Sequence, residues 1–448
     1  MASMMMLGTM PALSQRARSC AGSAAVNKRA SAATSRKHIL VSRCLKGDVE
    51  SDGGKSNAKQ RAASTALAIA LATLEIATPV VPLLTPPPAQ AVLSAPNANI
   101  PRSVDAALRR SIPVVNQDTK AIQDKMEDTA FLLRIPQRKP YGNMTVNTEK
   151  ALAILQENRD ALIATCPEVD RATAIEIVDT LEKQLGKLVI SIETRDPDRV
   201  GFRVADVLKS LSALEMLQAP GLPYSLPAQY ADLPKLTGRA TVEFDIQKAG
   251  GSTGEFVSKL GGGGSKSARV QLVLDGYSAP LTAGHFAQLV QERYYDGAKV
   301  LNGESSLYVG GEQSTTKKTP ASKLPLPLEL MPADSFEPQY RLPLDVGGGE
   351  YPVLPLSLYG SAAMVHGDSF DSDPSKFFFY LFDKSQSGLG GLSFDEGNFA
   401  VFGYVTEGKE ILSQIRNGDV IQSARIVSGA DKLIAGSRTL PDELLDEA

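Results

Sequence analysis

Asp275-Gly276-Tyr277-Ser278-Ala279-Pro280-Leu281-Thr282-Ala283-Gly284-His285-Phe286-Ala287-Gln288-Leu289-Val290, with Tyr295-Asp296-Gly297 just beyond, holds the main clue to the architecture. It follows Val270-Gln271-Leu272-Val273-Leu274, where apolar side chains recur with the two-residue period of a strand. Pro280-Leu281-Thr282 then opens a helix, because the fixed φ of proline suits a first helical turn that does not need its N–H. Phe286 falls on the face of that helix that is buried. Upstream, Thr241-Val242-Glu243-Phe244-Asp245-Ile246 alternates in the same way, and a Gly-rich segment from Gly250 to Ser267 joins the two strands. Its Gly264-Ser265-Lys266-Ser267 lacks the Gly-Lys adjacency of a phosphate loop and leads into a strand, so it reads as a flexible hairpin tip.

Toward the N-terminus the period changes. From about 102 to 218 the apolar spacing is helical. Val104, Ala107, Leu108 and Ile112 form a first stripe, and Ile122, Met126 and Leu133 a second. Leu152, Leu155, Leu162 and Ile163 form a third, and Ile175, Val178, Leu181, Leu185, Leu188 and Ile192 the clearest. Val204, Leu208, Leu211 and Leu214 end the series, on a helix that Asp196-Pro197 starts as N-cap and first helical residue. Each helix has one apolar face to bury, so a bundle of about four or five helices is expected over residues 92–218. Pro220, Pro223, Pro227 and Pro234 make residues 219–237 a stiff linker. Between the second and third stripes, Arg134-Ile135-Pro136-Gln137-Arg138-Lys139-Pro140-Tyr141-Gly142 breaks the helix and gathers three cations and an aromatic ring. It reads either as a solvated loop or as a docking surface for an acidic partner, through Arg134, Arg138, Lys139 and Tyr141.

Residues 1–47 carry eight Lys or Arg, no Asp or Glu, and much Ser and Ala, the composition of an organelle transit peptide. Lys59 and Arg61 then precede the apolar run Ala66–Ala72, and a Pro-rich stretch ends in Ala89-Gln90-Ala91. Charge, apolar core and small-residue exit make residues 48–91 a second export signal. A transit peptide followed by such a signal implies import into a plastid and transfer into the thylakoid lumen, with a mature start near Val92.

The whole chain has 448 residues, 47 Lys+Arg against 50 Asp+Glu, and 43% hydrophobic residues. That excludes wholesale disorder and a globally basic nucleic-acid binder. Residues 1–91 hold 11 basic and 4 acidic residues, so the remainder holds 36 and 46, a net charge of −10. No apolar run is long enough for a membrane span, which leaves peripheral association. Cys166 is the one cysteine outside the address, with His285 and His366, so neither a metal site nor a cofactor is expected.

The strand, the Pro-x-Thr helix start and the Tyr-Asp-Gly resemble the opening of a cyclophilin domain. Ser375-Lys376-Phe377-Phe378-Phe379 resembles the family's Ser-Gln-Phe-Phe strand, and Gly397-Asn398-Phe399-Ala400-Val401-Phe402-Gly403-Tyr404-Val405 its Val-Phe-Gly-x-Val strand. With the helical segment and the double address, the chain is similar to the plant and algal multidomain thylakoid-lumen cyclophilins. Residues 133–142 and 388–397 resemble one branch of them most. The resemblance implies an α+β multidomain protein, with an N-terminal helical bundle followed by a closed eight-stranded β-barrel with capping helices. The barrel domain spans residues 238–430, with a Pro-rich insert at 312–358 and a tail at 431–448. The insert reads as a lid, a partner surface or a pseudo-substrate for its own groove.

The family implies peptidyl-prolyl cis-trans isomerisation, which must lower a barrier of about 20 kcal/mol without a nucleophile. Members hold the proline in an apolar pocket and use one arginine against the twisting amide. Asn302 falls at that arginine's place, with Leu301 at the preceding histidine, and no Arg occurs between Arg293 and Arg341. Lys299 and Lys376 are the substitutes, although an ammonium lacks the fork of a guanidinium. Val309 precedes Gly310-Gly311 where the family has Gln, and His366 stands for the family's Asn. Phe394 stands for the groove Trp and Phe399 for the groove His. Met364, Phe378, Phe394 and Phe399 are the expected apolar slot. The expected function is protein folding or assembly of photosynthetic membrane complexes, with weak or absent isomerase activity. Proline-containing segments or lumenal loops are the implied partners. An active isomerase with a rearranged site, and a regulatory or scaffold subunit working through the bundle, are the alternatives.

Overall fold

Among the described residues, six α-helices precede the first strand: α1 (Val104–Ser111), α2 (Gln117–Leu133), α3 (Tyr141–Glu157), α4 (Arg159–Ala164), α5 (Arg171–Glu193) and α6 (Pro197–Gln218). The computed structural model describes residues 100–437 except 137, 251–253, 258–262, 312–314, 316–325, 368, 370 and 388–390. The expected address at 1–91 and the end of the tail lie outside them. Asp196 caps α6 by accepting from the Arg199 N–H at 3.0 Å, with Pro197 in the first turn. Val178, Leu181, Leu185 and Leu188 of α5 are wholly buried where α5 packs on α3, α4 and α6, and Ala174 replaces the expected Ile175, which is 43% exposed.

The first helix departs from the expected bundle. Val104, Ala107 and Leu108 of α1 belong to the barrel's core and not to that of the other helices. Ser111 at its end donates to the buried Asp275 carboxylate at 2.5 Å. Arg239 bridges the same two groups, 3.2 Å from Asp275 and 2.9 Å from the Ser111 hydroxyl, and also donates to the Leu108 carbonyl. An apolar stripe states that a helix has a partner, not which one, so α1 is bonded across the chain to the start of the barrel. The Pro-rich linker is also fixed, since the Tyr224 hydroxyl donates to the Tyr277 carbonyl at 2.6 Å and Tyr230 packs on Leu281.

The second half contains β1 (Lys235–Leu236), β2 (Arg239–Gln247), β3 (Ser267–Asp275), α7 (Pro280–Gln291), β4 (Ala298–Lys299), β5 (Leu301–Asn302) and β6 (Ser306–Val309). Then come β7 (Leu326–Pro327), β8 (Glu329–Leu330), β9 (Gln339–Tyr340), β10 (Ser361–His366), β11 (Asp371–Tyr380), β12 (Val401–Glu407), α8 (Lys409–Leu412), β13 (Val420–Ser428) and β14 (Leu433–Ile434). The main sheet is antiparallel in the order β4-β13-β2-β3-β12-β10-β11-β6-β5. Its two edge strands are separated only by the buried Val300, so the sheet has curled until its edges meet: a nearly closed barrel. β2 and β3 pair from Arg239↔Asp275 to Gln247↔Ser267, which makes the Gly-rich segment a hairpin connection. Phe286 of α7 enters the barrel mouth and meets Phe377, Phe402 and Tyr295 at centroid distances of 4.9, 4.7 and 5.3 Å. No described helix is long and apolar enough to cross a membrane.

Candidate functional site

β11 organises the site because its alternation sorts phenylalanines to two faces. Phe377 and Phe379 point inward to Phe244, with centroids at 6.3 and 5.8 Å. Phe378 points the other way, 5.8 Å from Tyr308 of β6 and 5.2 Å from Phe399. Phe399 in turn lies 4.5 Å from the His366 ring, so Tyr308, Phe378, Phe399 and His366 form a continuous aromatic wall. A cavity of about 660 Å³ borders Tyr308. Leu301, Val309, Gly310 and Gly311 line one side; Val365, Asp373, Pro374, Ser375 and Lys376 line the other. Gly310 has φ +97°, and a Cβ there would overlap the Ser375 carbonyl oxygen, so only glycine lets β6 leave the sheet at this point. Below, buried His285 donates from Nε2 to the Pro374 carbonyl at 2.7 Å and fixes the cavity floor. Burial pushes its imidazole below the usual histidine range.

Several expected site residues lie elsewhere. Asn302 does not face the cavity: its Nδ2 donates to the Ile415 carbonyl at 2.9 Å, and Leu301, paired with Tyr308 across β5 and β6, takes the cavity-facing place. Lys299 sits on β4 opposite Val420 and is not among the cavity-lining residues. Met364 is wholly buried in the barrel core, and its neighbour Val365 lines the cavity instead. Phe394 is 81% exposed and stacks on no described ring, so it is not part of the wall. Lys376 does line the cavity, but its ammonium is 2.9 Å from Asp373. Asp373 also accepts from the Ser375 N–H and hydroxyl at 2.9 Å and the Lys376 N–H at 3.1 Å. Burial raises the Asp373 carboxyl, but the bonds from Lys376 and Ser375 outweigh it and hold it below the usual carboxylate range. The lysine charge is therefore spent on the turn. His366 donates from Nδ1 to the Gly367 carbonyl at 2.9 Å, which leaves Nε2 buried without a partner among the described residues.

Residues 264–434, which carry this barrel and groove, match the family described as cyclophilin type peptidyl-prolyl cis-trans isomerase/CLD. Residues 103–218 match the PsbQ-like domain of CYP38-like peptidyl-prolyl cis-trans isomerases. The chain is 49% identical over 351 residues to peptidyl-prolyl cis-trans isomerase CYP37, chloroplastic, of Arabidopsis thaliana, covering 77% of this chain and 74% of that one. The chain belongs to the cyclophilin family. It is also 30% identical to the putative thylakoid lumen peptidyl-prolyl cis-trans isomerase sll0408 of Synechocystis sp., over 74% of this chain and 84% of that relative. To CYP38, chloroplastic, of Arabidopsis thaliana it is 29% identical over 87% and 92%. These cyclophilins are chloroplastic and thylakoid-lumen proteins by name, the compartment expected here.

In this cyclophilin the described insert is a wall, not a tethered lid. Glu329 of β8 is fully buried and accepts from the Thr282 N–H and hydroxyl at 2.8 Å and the Leu281 N–H at 3.2 Å, capping α7. Burial pushes its carboxyl up to about 7, against those Thr282 and Leu281 bonds. Glu396, beyond the barrel's β11, does the reverse and accepts from the insert's Leu356 N–H at 2.7 Å, Ser357 N–H at 2.8 Å and Ser357 hydroxyl. Arg341 grips Asp371 with two bonds of 2.7 and 3.1 Å. Among the described insert prolines none lines the cavity, so those residues are not a pseudo-substrate; residues 316–325 lie outside the described set. Sequence reasoning placed Leu301 only at the family's histidine position and missed Tyr308, Val365 and Asp373, whose facing is set by pairing across strands. It also missed the two glutamate clamps: Glu329 stands alone among Leu328, Leu330 and Met331 and Glu396 among polar residues, and the N–H groups each accepts from lie about 40 or more positions away in the chain.

The 134–141 loop divides in two. Lys139 donates to the Leu133 and Ile135 carbonyls at 2.6 and 3.2 Å and caps the end of α2. The Tyr141 hydroxyl donates to the Arg195 carbonyl at 3.1 Å. Both are scaffold. Arg134 and Arg138 are exposed, and their side chains bond to no described residue.

Proposed function

We propose that this lumenal cyclophilin binds proline-containing protein segments in the aromatic groove and serves folding or assembly of photosynthetic membrane complexes, with weak or no isomerase activity. The observation that carries the reading is the residue facing the groove from β5: Leu301, an aliphatic side chain where the reaction needs a cation. An apolar wall of Phe378, Phe399 and Tyr308 holds a proline ring in planar and twisted amides alike. Rate enhancement needs charge that favours the twisted form, and the one lysine lining the cavity is already paired with Asp373. Loss of a single such donor reduces catalysis by about 10²–10³-fold. The same reading takes residues 1–47 as the transit peptide, 48–91 as the transfer signal, and Val92 as the approximate mature start.

The test is protease-coupled isomerisation of an Ala-Pro peptide, alongside a fluorescence titration of the same labelled peptide. Binding without appreciable turnover, lost in Phe378→Ala, is the expected outcome. Acceleration abolished by Lys376→Ala would establish a rearranged active site and overturn the reading. Absence of both binding and turnover would overturn the groove as a peptide site.

A further inference from the structure

The end of the bundle remote from the barrel carries a second, smaller slot. Asp128, Phe131 and Leu132 recur at i, i+3 and i+4 on α2, and Asn143, Val146 and Asn147 do so on α3. The two sets face one another across a cavity of about 310 Å³. Phe131 is 58% and Val146 47% exposed, an apolar floor that no described element covers. Beside it, Lys139 donates to carbonyls at the end of α2, and Tyr141 ties the start of α3 to the turn before α6. Arg134 and Arg138 are exposed beside these two ties, with no partner for either guanidinium among the described residues. Outside residues 1–91 the chain carries a net charge of −10, yet residues 134–141 hold three cations and no carboxylate.

We propose that this slot docks an acidic segment of another protein that carries an apolar anchor residue. The anchor enters between Phe131 and Val146. The Asn143 and Asn147 carboxamides, which have no described partner, pair with the visiting backbone. Arg134 and Arg138 take its carboxylates in bidentate fashion. Asp128 lies at the far end of the slot from the arginines, so the segment runs with its acidic residues toward the loop and a donor or cation toward Asp128. A concave slot with paired carboxamides suits a polypeptide better than a lipid surface, which has no backbone to meet them. The backbone on either side of the arginines is braced by Lys139 and Tyr141, which limits the freedom lost on binding to the arginine side chains. The inference is independent of the proline groove.

The test uses the purified chain and a fluorescein-labelled, Asp/Glu-rich dodecapeptide with a central Phe-Leu pair and no proline. Versions with Lys for every acid, and with Ala-Ala for Phe-Leu, are compared by anisotropy at two salt concentrations. Saturable binding is expected, weakened by about tenfold or more in Arg134→Glu/Arg138→Glu and in Phe131→Ala. The same peptide should slow hydrogen exchange over residues 128–147. Equal binding of the Lys version, or binding indifferent to both variants, overturns the proposal. So does failure of the peptide to bind while phosphatidylglycerol vesicles bind in sedimentation, which would make the patch a lipid contact.

Discussion

On the proposal that the groove lacks a catalytic guanidinium, placing one there should raise isomerase activity, and the strand pairing indicates the position. Leu301 faces a cavity of about 660 Å³, enough room for an arginine, whereas the Asn302 side chain is committed to the Ile415 carbonyl on the other side of β5. A preorganised donor at the twisting amide contributes about 3–4 kcal/mol of transition-state stabilisation. A newly placed arginine must first lose about 2 kcal/mol of rotamer entropy, with no prebuilt partner to hold it. Leu301→Arg is therefore expected to gain about 1–2 kcal/mol, or roughly 5- to 30-fold in kcat/KM. Asn302→Arg should gain nothing and lose about 1 kcal/mol of stability with its hydrogen bond. Protease-coupled isomerisation of an Ala-Pro peptide reads the rate, and urea unfolding reads the stability. Acceleration by Asn302→Arg alone would refute the assignment of facing. Silence of both variants, in folded protein that still binds the peptide, would refute the argument that charge is the main deficit.

Glu215 on α6 lies near Lys120, Arg109 and Arg239 where the helices meet the barrel, and burial pushes its carboxyl from 4.5 up to about 8. The folded state thus holds a proton that the unfolded chain releases, so this group's contribution to stability is full below pH 4.5 and falls as pH rises through 8. Between about pH 5 and about pH 8 the loss is roughly 3–4 kcal/mol, absent in Glu215→Gln; identical pH dependence in the two proteins would exclude it. Glu396→Ala strips the acceptor from two buried N–H groups of the insert and is expected to destabilise by about 2–5 kcal/mol, with earlier proteolysis after residue 344. Wild-type urea midpoints and cleavage rates in that variant would show that the clamp contributes nothing. Gly310→Ala should cost at least about 1–3 kcal/mol and abolish proline-peptide binding, because both its φ of +97° and the Ser375 carbonyl oppose a side chain. Retained binding would remove the Gly310 side of the cavity from the site.

Much of the architecture was legible locally. The period of two around Val270 and Val242, the period near 3.6 along α5, and the caps at Asp196-Pro197 and Pro280 each follow from a few neighbouring residues. Burial of one face is the physical rule behind all of them. The aromatic content of the groove strand was legible too, since Phe377, Phe378 and Phe379 stand in a run. The partner of α1 was not: its stripe of Val104, Ala107 and Leu108 fits a bundle as well as a barrel, and the buried Arg239–Asp275–Ser111 group assigns it to the barrel. Nor was the division of the 134–141 segment into two braces and two arginines without a described partner, which depends on carbonyls at Leu133 and Arg195.

By itself the sequence determined that no arginine stands between Arg293 and Arg341, whatever the alignment of that segment. It also determined the order of strand, helix and Phe-rich strand that makes a cyclophilin barrel. Only the tertiary structure decided that Leu301 and not Asn302 meets the groove, and that Lys376 is neutralised by Asp373. A strand residue takes its face from the register of its neighbours, here Leu301 against Tyr308, and a charge takes its role from whatever lies within about 4 Å of it. Both are properties of the assembled fold, where residues far apart in the chain become neighbours.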